Sequence, residues 1–441
     1  IACSLLLVYI ASSSVTALST RTSFVITGGT GRIGTAVATH LLKQRHNDSI
    51  RIILAGRNPE KGQKAVNEVL RACSSTENHP SVEWQYVEDV WDFSKVLPLA
   101  DQADCFIHTA GPYLNQQPVP LQAAIASTRC KAYVDVSDPL DYLDASLKLS
   151  NEAADSQTTC LLCAGAFPGM SNVLAMEAAS CIDGRVRDLR FNYFTAGLGG
   201  SGSVNLEITN LGFGEPQAQF EKGNLRLYKN LSGRLLGKVD FYLQDEEKST
   251  AAQERIGRQT VFAWPFPESA TVARELAISG DSSAAMGTAP DVWNTMLGIL
   301  VDIVPRKWWK FAKFSKFLAN FSEPLVKLTD AFLEETHGMR VDVVGENDKS
   351  VSIVQAHESF RTCVGQSCAE FALDLISFPG KGGVQLPEQR YRDDTGRRRI
   401  ISKLTSTPGT LGYTGAVTVS EAPAPSDLDR ALQQANTAEM A

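Results

Sequence analysis

Residues 24–34 read Phe24-Val25-Ile26-Thr27-Gly28-Gly29-Thr30-Gly31-Arg32-Ile33-Gly34. From Gly29 the pattern is G-x-G-x-x-G, placed behind an apolar run of strand length and ahead of a helix-period segment, Ile33 to Arg45. Each glycine has a separate task in that setting. One makes the tight turn, one lets the backbone approach a diphosphate, and Gly34 lets the helix lie close to the sheet. The helix N-terminus then presents free N–H groups and a positive dipole end to phosphate oxygens. Gly29, Thr30, Gly31, Arg32, Ile33 and Gly34 are therefore the leading candidates to bind a dinucleotide.

Working outward, apolar strand-length runs alternate with helical segments from Ser23 to about Ala164. The expected strands are Phe24 to Ile26, Ile50 to Leu54, Val82 to Val87, Cys105 to His108, Ala132 to Asp135 and Cys160 to Leu162. Helices are expected at Pro59 to Cys73, Pro118 to Thr128 and Pro139 to Ala154. This alternation is the signature of a parallel sheet with helical crossovers, an α/β Rossmann-type domain. The end of the second strand chooses the cofactor. An NAD site places an acid there for the ribose hydroxyls. Here the chain reads Leu54-Ala55-Gly56-Arg57-Asn58, so Arg57 can make charge-assisted bonds to a 2′-phosphate, with Lys61 and Lys64 adding positive charge. NADP(H) is favoured, with Arg57 and Asn58 at the site and Asp89, after the third strand, as an adenine-side contact. Asp104, opening the fourth strand, reads as structural.

Composition fits a large globular protein. The 441 residues suffice for two or three domains. The formal net charge is −7, which argues against nucleic acid as a partner. Nine cysteines are scattered through apolar runs such as Thr159-Cys160-Leu161-Leu162-Cys163, without zinc-type spacing, and read as buried thiols. No metal is expected. Leu5 to Ile10 forms a short apolar run followed by Val15-Thr16-Ala17, which reads as a cleaved signal peptide within a targeting segment, residues 1–21. Secretory entry with unpaired cysteines and an NADP site points on to a reducing compartment such as a plastid, with the cytoplasm less favoured.

Residues 22–165 form the NADP-binding domain in this reading, and residues 166–378 an α+β second domain with a mixed sheet. The latter includes Leu189 to Thr195, a glycine-rich loop from Gly197 to Gly202, a hairpin from Met339 to Val344 and Ser350 to Val354, and a helix from Gly365 to Ile376. Residues 379–441 are expected to be irregular and disordered from about 421. Lys307, Lys310, Lys313 and Lys316 recur every third residue between Trp308, Trp309, Phe311, Phe314 and Phe317. That suits a membrane surface. An ordinary amphipathic helix with its aromatics turned inward is the favoured reading.

Gly28 to Gly34, Ala55 to Lys61, Thr109-Ala110-Gly111-Pro112-Tyr113, Tyr133 to Asp138 and Ala164 to Asn172 together resemble the saccharopine dehydrogenase-like oxidoreductases. Phe194 to Gly202 and Gly287-Thr288-Ala289-Pro290 are similar to the plant chloroplast branch of that group. The resemblance implies hydride transfer with NADP(H) on a small molecule, to or from a C=N or C=O group between the domains, and a homodimer through the second sheet. It implies that Ala110, Gly111 and Pro112 line the nicotinamide ribose. Tyr113 at the cleft mouth and Asp135 at a strand end are the candidate proton-transfer residues. Tyr113 as a packing aromatic, and Asp138 as the cap of the following helix, remain open. Saccharopine itself calls for converging arginines; Arg190, Arg226 and Arg274 are candidates by type alone. A short-chain dehydrogenase is the rival enzyme, but none of the ten tyrosines has Lys four positions later. A catalytically inactive NADP-binding scaffold is the alternative of another class.

Overall fold

The computed structural model describes residues 21–44, 50–73, 81–197, 203–243, 250–330, 332–420 and 427–440. The targeting segment through residue 20 and the glycines from 199 to 202 lie outside them. The first half runs β1 (Thr22–Thr27), α1 (Arg32–Gln44), β2 (Ile50–Gly56), α2 (Pro59–Arg71), β3 (Ser81–Tyr86), α3 (Phe93–Ala100), β4 (Cys105–His108), α4 (Val119–Ala126), β5 (Ala132–Asp135), α5 (Leu140–Leu147), α6 (Ser150–Asp155) and β6 (Thr159–Leu161). The middle continues with α7 (Met170–Ser180), β7 (Val186–Ala196), α8 (Ser203–Gly212), β8 (Gln217–Glu221), β9 (Asn224–Tyr228), β10 (Leu235–Asp240), α9 (Thr250–Arg255), β11 (Arg258–Ala263), α10 (Glu268–Glu275), β12 (Ser282–Thr288), α11 (Asp291–Ile303), α12 (Arg306–Trp309) and α13 (Ala312–Asp330). The chain ends with β13 (Thr336–Gly345), β14 (Ser350–His357), α14 (Phe360–Ser377), β15 (Gly383–Gln385), α15 (Pro387–Arg390), α16 (Asp394–Leu404), β16 (Thr410–Tyr413), β17 (Val417–Val419) and α17 (Leu428–Met440).

The first sheet has the order β15-β6-β5-β4-β1-β2-β3, parallel throughout. Six of its strands follow the Rossmann order, with the reversal between β1 and β4, where ligands of such sheets bind. The strands are nearly continuous apolar runs because helices cover both faces. The second sheet, β10-β11-β12-β7-β13-β14-β16 with β17 also on β14, is mixed, since only β12 and β7 run parallel. Its hairpin pairs Val344 with Ser350, as the alternation around residues 345–349 suggests.

One core joins the two sheets. Phe24, Ile26 and Leu54 of the first share a buried cluster with Val341 and Ile353 of the second and Phe371 of α14. Helix α14 leaves the second sheet and returns to pack on α1, where a Cβ at Gly365 would meet Ala36 Cβ at 2.5 Å. That close approach needs glycine. The buried His40 Nε2 lies 2.6 Å from Glu370 Oε1 across the same helix pair.

Three expectations are corrected. Residues 379–441 are not irregular: β15 is the seventh strand of the first sheet, β16 and β17 extend the second, and Leu428–Met440 is helical, while residues 421–426 lie outside the described ones. The three strands, of three or four residues each, are too short to show an apolar period and gain strand geometry only from an existing sheet edge. The helix expected from Pro139 to Ala154 is two helices, α5 and α6. The aromatics of residues 308–317 do not all turn inward: Trp309 is buried and Phe314 packs on it, but Trp308, Phe311 and Phe317 are exposed. Both tryptophans of α12 touch the Phe314 ring, Trp309 from the interior and Trp308 from the half-exposed side. All eight cysteines among the described residues are free thiols.

Candidate functional site

The glycine loop has the shape that its sequence requires. Gly28 has φ +71°, and a Cβ there would lie 2.7 Å from Ala110 N, so the loop after β1 rests directly on the loop after β4. A Cβ on Gly29 would meet Ile26 O at 2.6 Å, and one on Gly34 would meet Gly28 O at 2.5 Å. Gly31, by contrast, is exposed at the start of α1, and its amide donates to Gly28 O at 2.8 Å. The tightly packed glycines fold the turn, and the exposed one leaves room for a diphosphate over the helix N-terminus. Thr30, Arg32 and Ile33 are half-buried around it.

The end of β2 touches this loop, since a Cβ on Gly56 would meet the Thr30 side chain at 2.9 Å. Arg57 follows at once and is exposed, with Lys61 and Lys64 exposed on α2. Asn58 has another duty: its Oδ1 accepts from Lys61 N at 2.9 Å and caps α2. Asp89 is exposed just past β3 and accepts from Trp91 N at 2.9 Å. Ala110 is half-buried, and Gly111 and Pro112 are exposed beyond β4. Asp104 proves structural, accepting from Ser23 N at 2.7 Å and pairing with Arg129.

Neither candidate proton-transfer residue is open to a substrate. Tyr113 is buried among Trp91, His108 and Tyr142, and its hydroxyl donates to the His108 carbonyl at 2.7 Å. The packing reading of Tyr113 fits these contacts, since its ring is enclosed and its hydroxyl already bonded. Asp135 is fully buried; Oδ1 accepts from Ser137 N at 3.1 Å, Ser137 Oγ at 2.6 Å and Cys163 N at 3.2 Å, and Oδ2 from Tyr133 at 3.1 Å. Burial pushes its pKa up to about 6 against the pull of those donors. It fastens the ends of β5 and β6 together. Asp138 is no cap either, since α5 begins at Leu140 with Pro139 in the N-cap position and no side-chain cap bond.

A different set of side chains gathers between the sheets. The turn after β6 carries Phe167, whose ring stacks on Tyr193 of β7 at 4.2 Å and on Phe360 at 4.9 Å, with His337 of β13 at 5.0 Å. His337 is fully buried, and burial pulls its pKa down to about 3, so the ring is neutral. Its Nδ1 lies 3.2 Å from the Phe194 carbonyl. A carbonyl only accepts, so Nδ1 holds the proton and Nε2 is a bare acceptor. Nε2 has no partner among the described residues, and neither does Oγ1 of Thr195, its register partner on β7. Beside them the Tyr193 hydroxyl donates to Glu268 Oε1. Burial pushes the Glu268 carboxyl up to about 8, leaving it largely protonated near neutral pH. Asn172, whose Oδ1 accepts from Gly169 N at 2.9 Å, donates at 2.8 Å to the buried Glu388.

These residues escaped the sequence reading. The signal for Phe167 was its place past the last strand's C-terminal end. For His337 the sequence held no such signal, since its strand also carries Thr336, Arg340 and Asp342. The three arginines do not converge: Arg190 lies 3.9 Å from Asp188, Arg226 pairs with Glu221 at 2.7 Å, and Arg274 is exposed on α10.

Residues 24–161 match the family model for the saccharopine dehydrogenase NADP binding domain. Over 90% of this chain and 100% of the other, the fold is similar to that of apo saccharopine dehydrogenase (L-Glu forming) from Saccharomyces cerevisiae, with TM-score 0.55 and 12% identity. A short-chain type dehydrogenase/reductase from Mycobacterium ulcerans aligns over 32% of this chain and 66% of its own, with TM-score 0.23 and 15% identity. No curated protein matches the sequence. Residues 24–161 thus match a saccharopine dehydrogenase NADP binding domain, which supports NADP(H) as the cofactor, and the fold of the chain is similar to that of the yeast enzyme.

Proposed function

We propose that this saccharopine dehydrogenase-like oxidoreductase transfers hydride between NADP(H) and a C=N or C=O carbon of a small molecule held beside Phe167. The observation that carries the reading is the unpartnered pair, His337 Nε2 and Thr195 Oγ1, buried where the two sheets meet at the C-terminal edge of the first. Unpaired buried polar atoms are costly, and a substrate N–H or O–H would satisfy them. Bound NADPH supplies the hydride. The chain's own contribution is to bind, orient and exclude water. The glycine loop and the α1 terminus hold the diphosphate, and Arg57 holds the 2′-phosphate. The rings of Phe167, Tyr193 and Phe360 keep the reacting carbon dry. Without converging arginines, the substrate favoured is not a dicarboxylated amino acid.

The test is NADPH consumption by the purified protein against panels of imines and ketones, with saccharopine alongside. Turnover with an uncharged imine or ketone, raised in KM by His337→Ala, is the expected result. Turnover of saccharopine at a comparable kcat/KM would overturn the substrate assignment. A second reading, an NADP-binding scaffold without turnover, draws on the burial of both Tyr113 and Asp135. Tight NADPH binding with less than one hydride passed per chain across the whole panel would favour it.

A further inference from the structure

We propose that the α12–α13 face is a docking surface for an anionic membrane, on which the protein lies without spanning it. Residues 303–322 hold five bases (Arg306, Lys307, Lys310, Lys313 and Lys316) and no acid, in a chain whose net charge is −7. Arg306 is spent inward, donating to the carbonyls of Phe213 at 2.8 Å and Asn230 at 3.0 Å, and this fixes α12 to the body of the domain. Trp309 is buried against Phe213 and Phe314. Ser315 is buried too, its hydroxyl donating to the Trp309 carbonyl at 3.0 Å and its carbonyl accepting from Asn210 at 3.1 Å. With the inner side anchored in this way, the four lysines remain exposed.

The outer side is apolar as well as basic. Phe311 is 61% exposed, Phe317 66% and Phe321 75%, and Trp308 stands out beside them. On a helix of 3.6 residues per turn, Phe317, Phe321 and Leu328 fall on one stripe, with Lys313 and Lys316 along its edge. The Phe317 and Phe321 rings stack 6.5 Å apart on that stripe. Large exposed aromatics in a row mark an interaction surface. A basic border around an apolar stripe is the form that lies in the headgroup plane. α13 spans about 28 Å, and no described helix is long and apolar enough to cross a membrane. Charge selects the occupant. A second copy meeting this face across a two-fold axis would set lysines against lysines, whereas anionic headgroups complement them.

Flotation of the full chain with vesicles tests this, using phosphatidylcholine alone and phosphatidylcholine with a minority of phosphatidylserine. Recovery is expected with the anionic vesicles only, falling in high salt. Each Lys→Glu change among the four removes at least roughly fivefold in partitioning, and Phe317→Ser with Phe321→Ser lowers recovery at unchanged NADPH affinity, which reports an intact fold. Failure to float with anionic vesicles overturns the proposal. So does recovery that ignores the lysine changes, or a dimer in solution that the two Phe→Ser changes dissociate.

Discussion

The ring of Phe167, on the turn leaving the nucleotide-binding sheet, lies face to face with that of Tyr193 on the central strand of the second sheet, centroids 4.2 Å apart and planes 13° from parallel. Around this pair the domains share one core rather than a hinged gap. Phe167→Ala is expected to destabilise by roughly 3–5 kcal/mol, the usual cost of emptying a buried aromatic site. Urea unfolding checks it. A change below 1 kcal/mol would mean that the ring pair is peripheral to the junction.

Arg57→Ala tests cofactor choice. Charge-assisted bonds to a phosphate contribute roughly 1.5–3 kcal/mol, so NADPH affinity should fall about tenfold to a hundredfold while NADH affinity stays unchanged. Calorimetric titration with both cofactors reads the difference. Equal losses for the two would show that Arg57 acts on something other than the 2′-phosphate.

Gly34→Ala places a methyl within 2.5 Å of Gly28 O, a backbone atom that cannot move without unfolding the turn. Loss of both NADPH and NADH binding is expected, with the far-UV circular dichroism spectrum retained. Undiminished binding would mean that the diphosphate is held elsewhere.

The Glu268 carboxyl gives stability a pH dependence whose sign follows from its direction of shift. Its folded pKa is raised from 4.5 to about 8, so the folded state binds its proton more tightly than the unfolded one. Below about pH 4.5 both states are protonated and no penalty exists. The penalty for ionising a buried carboxyl then grows with rising pH and levels off above about 8, at no more than roughly 5 kcal/mol. Glu268→Gln should flatten the stability profile between these limits. An equally steep loss in the variant would assign the pH dependence to other groups.

Asp135→Ala separates a structural from a chemical role. It strands Ser137, Cys163 N and Tyr133 in the interior, at about 1–3 kcal/mol for each donor left unpaired. Stability should drop by several kcal/mol while NADPH affinity stays within about threefold. Full stability with turnover abolished would restore Asp135 to the chemistry.

What the sequence determined by itself was the nucleotide half. A strand, a glycine turn and a helix start within eleven residues, and the absence of an acid after β2 favoured NADP(H); both are features that a short window contains. The mixed second sheet was legible from its hairpin alternation around residues 345–349. The tertiary structure decided the rest, because the physical causes lie far apart in the chain. Tyr113 and Asp135 stand at plausible strand ends, and only packing shows that their polar atoms are already bonded to His108, Ser137 and Cys163. His337 and Thr195 meet through a pairing that spans 142 positions, and Glu268 gains its raised pKa from burial that no local pattern encodes. β15 is a three-residue strand that exists because β6 offers an unpaired edge. Local sequence fixes a backbone conformation; which polar atoms remain unsatisfied is settled only when distant segments are brought together.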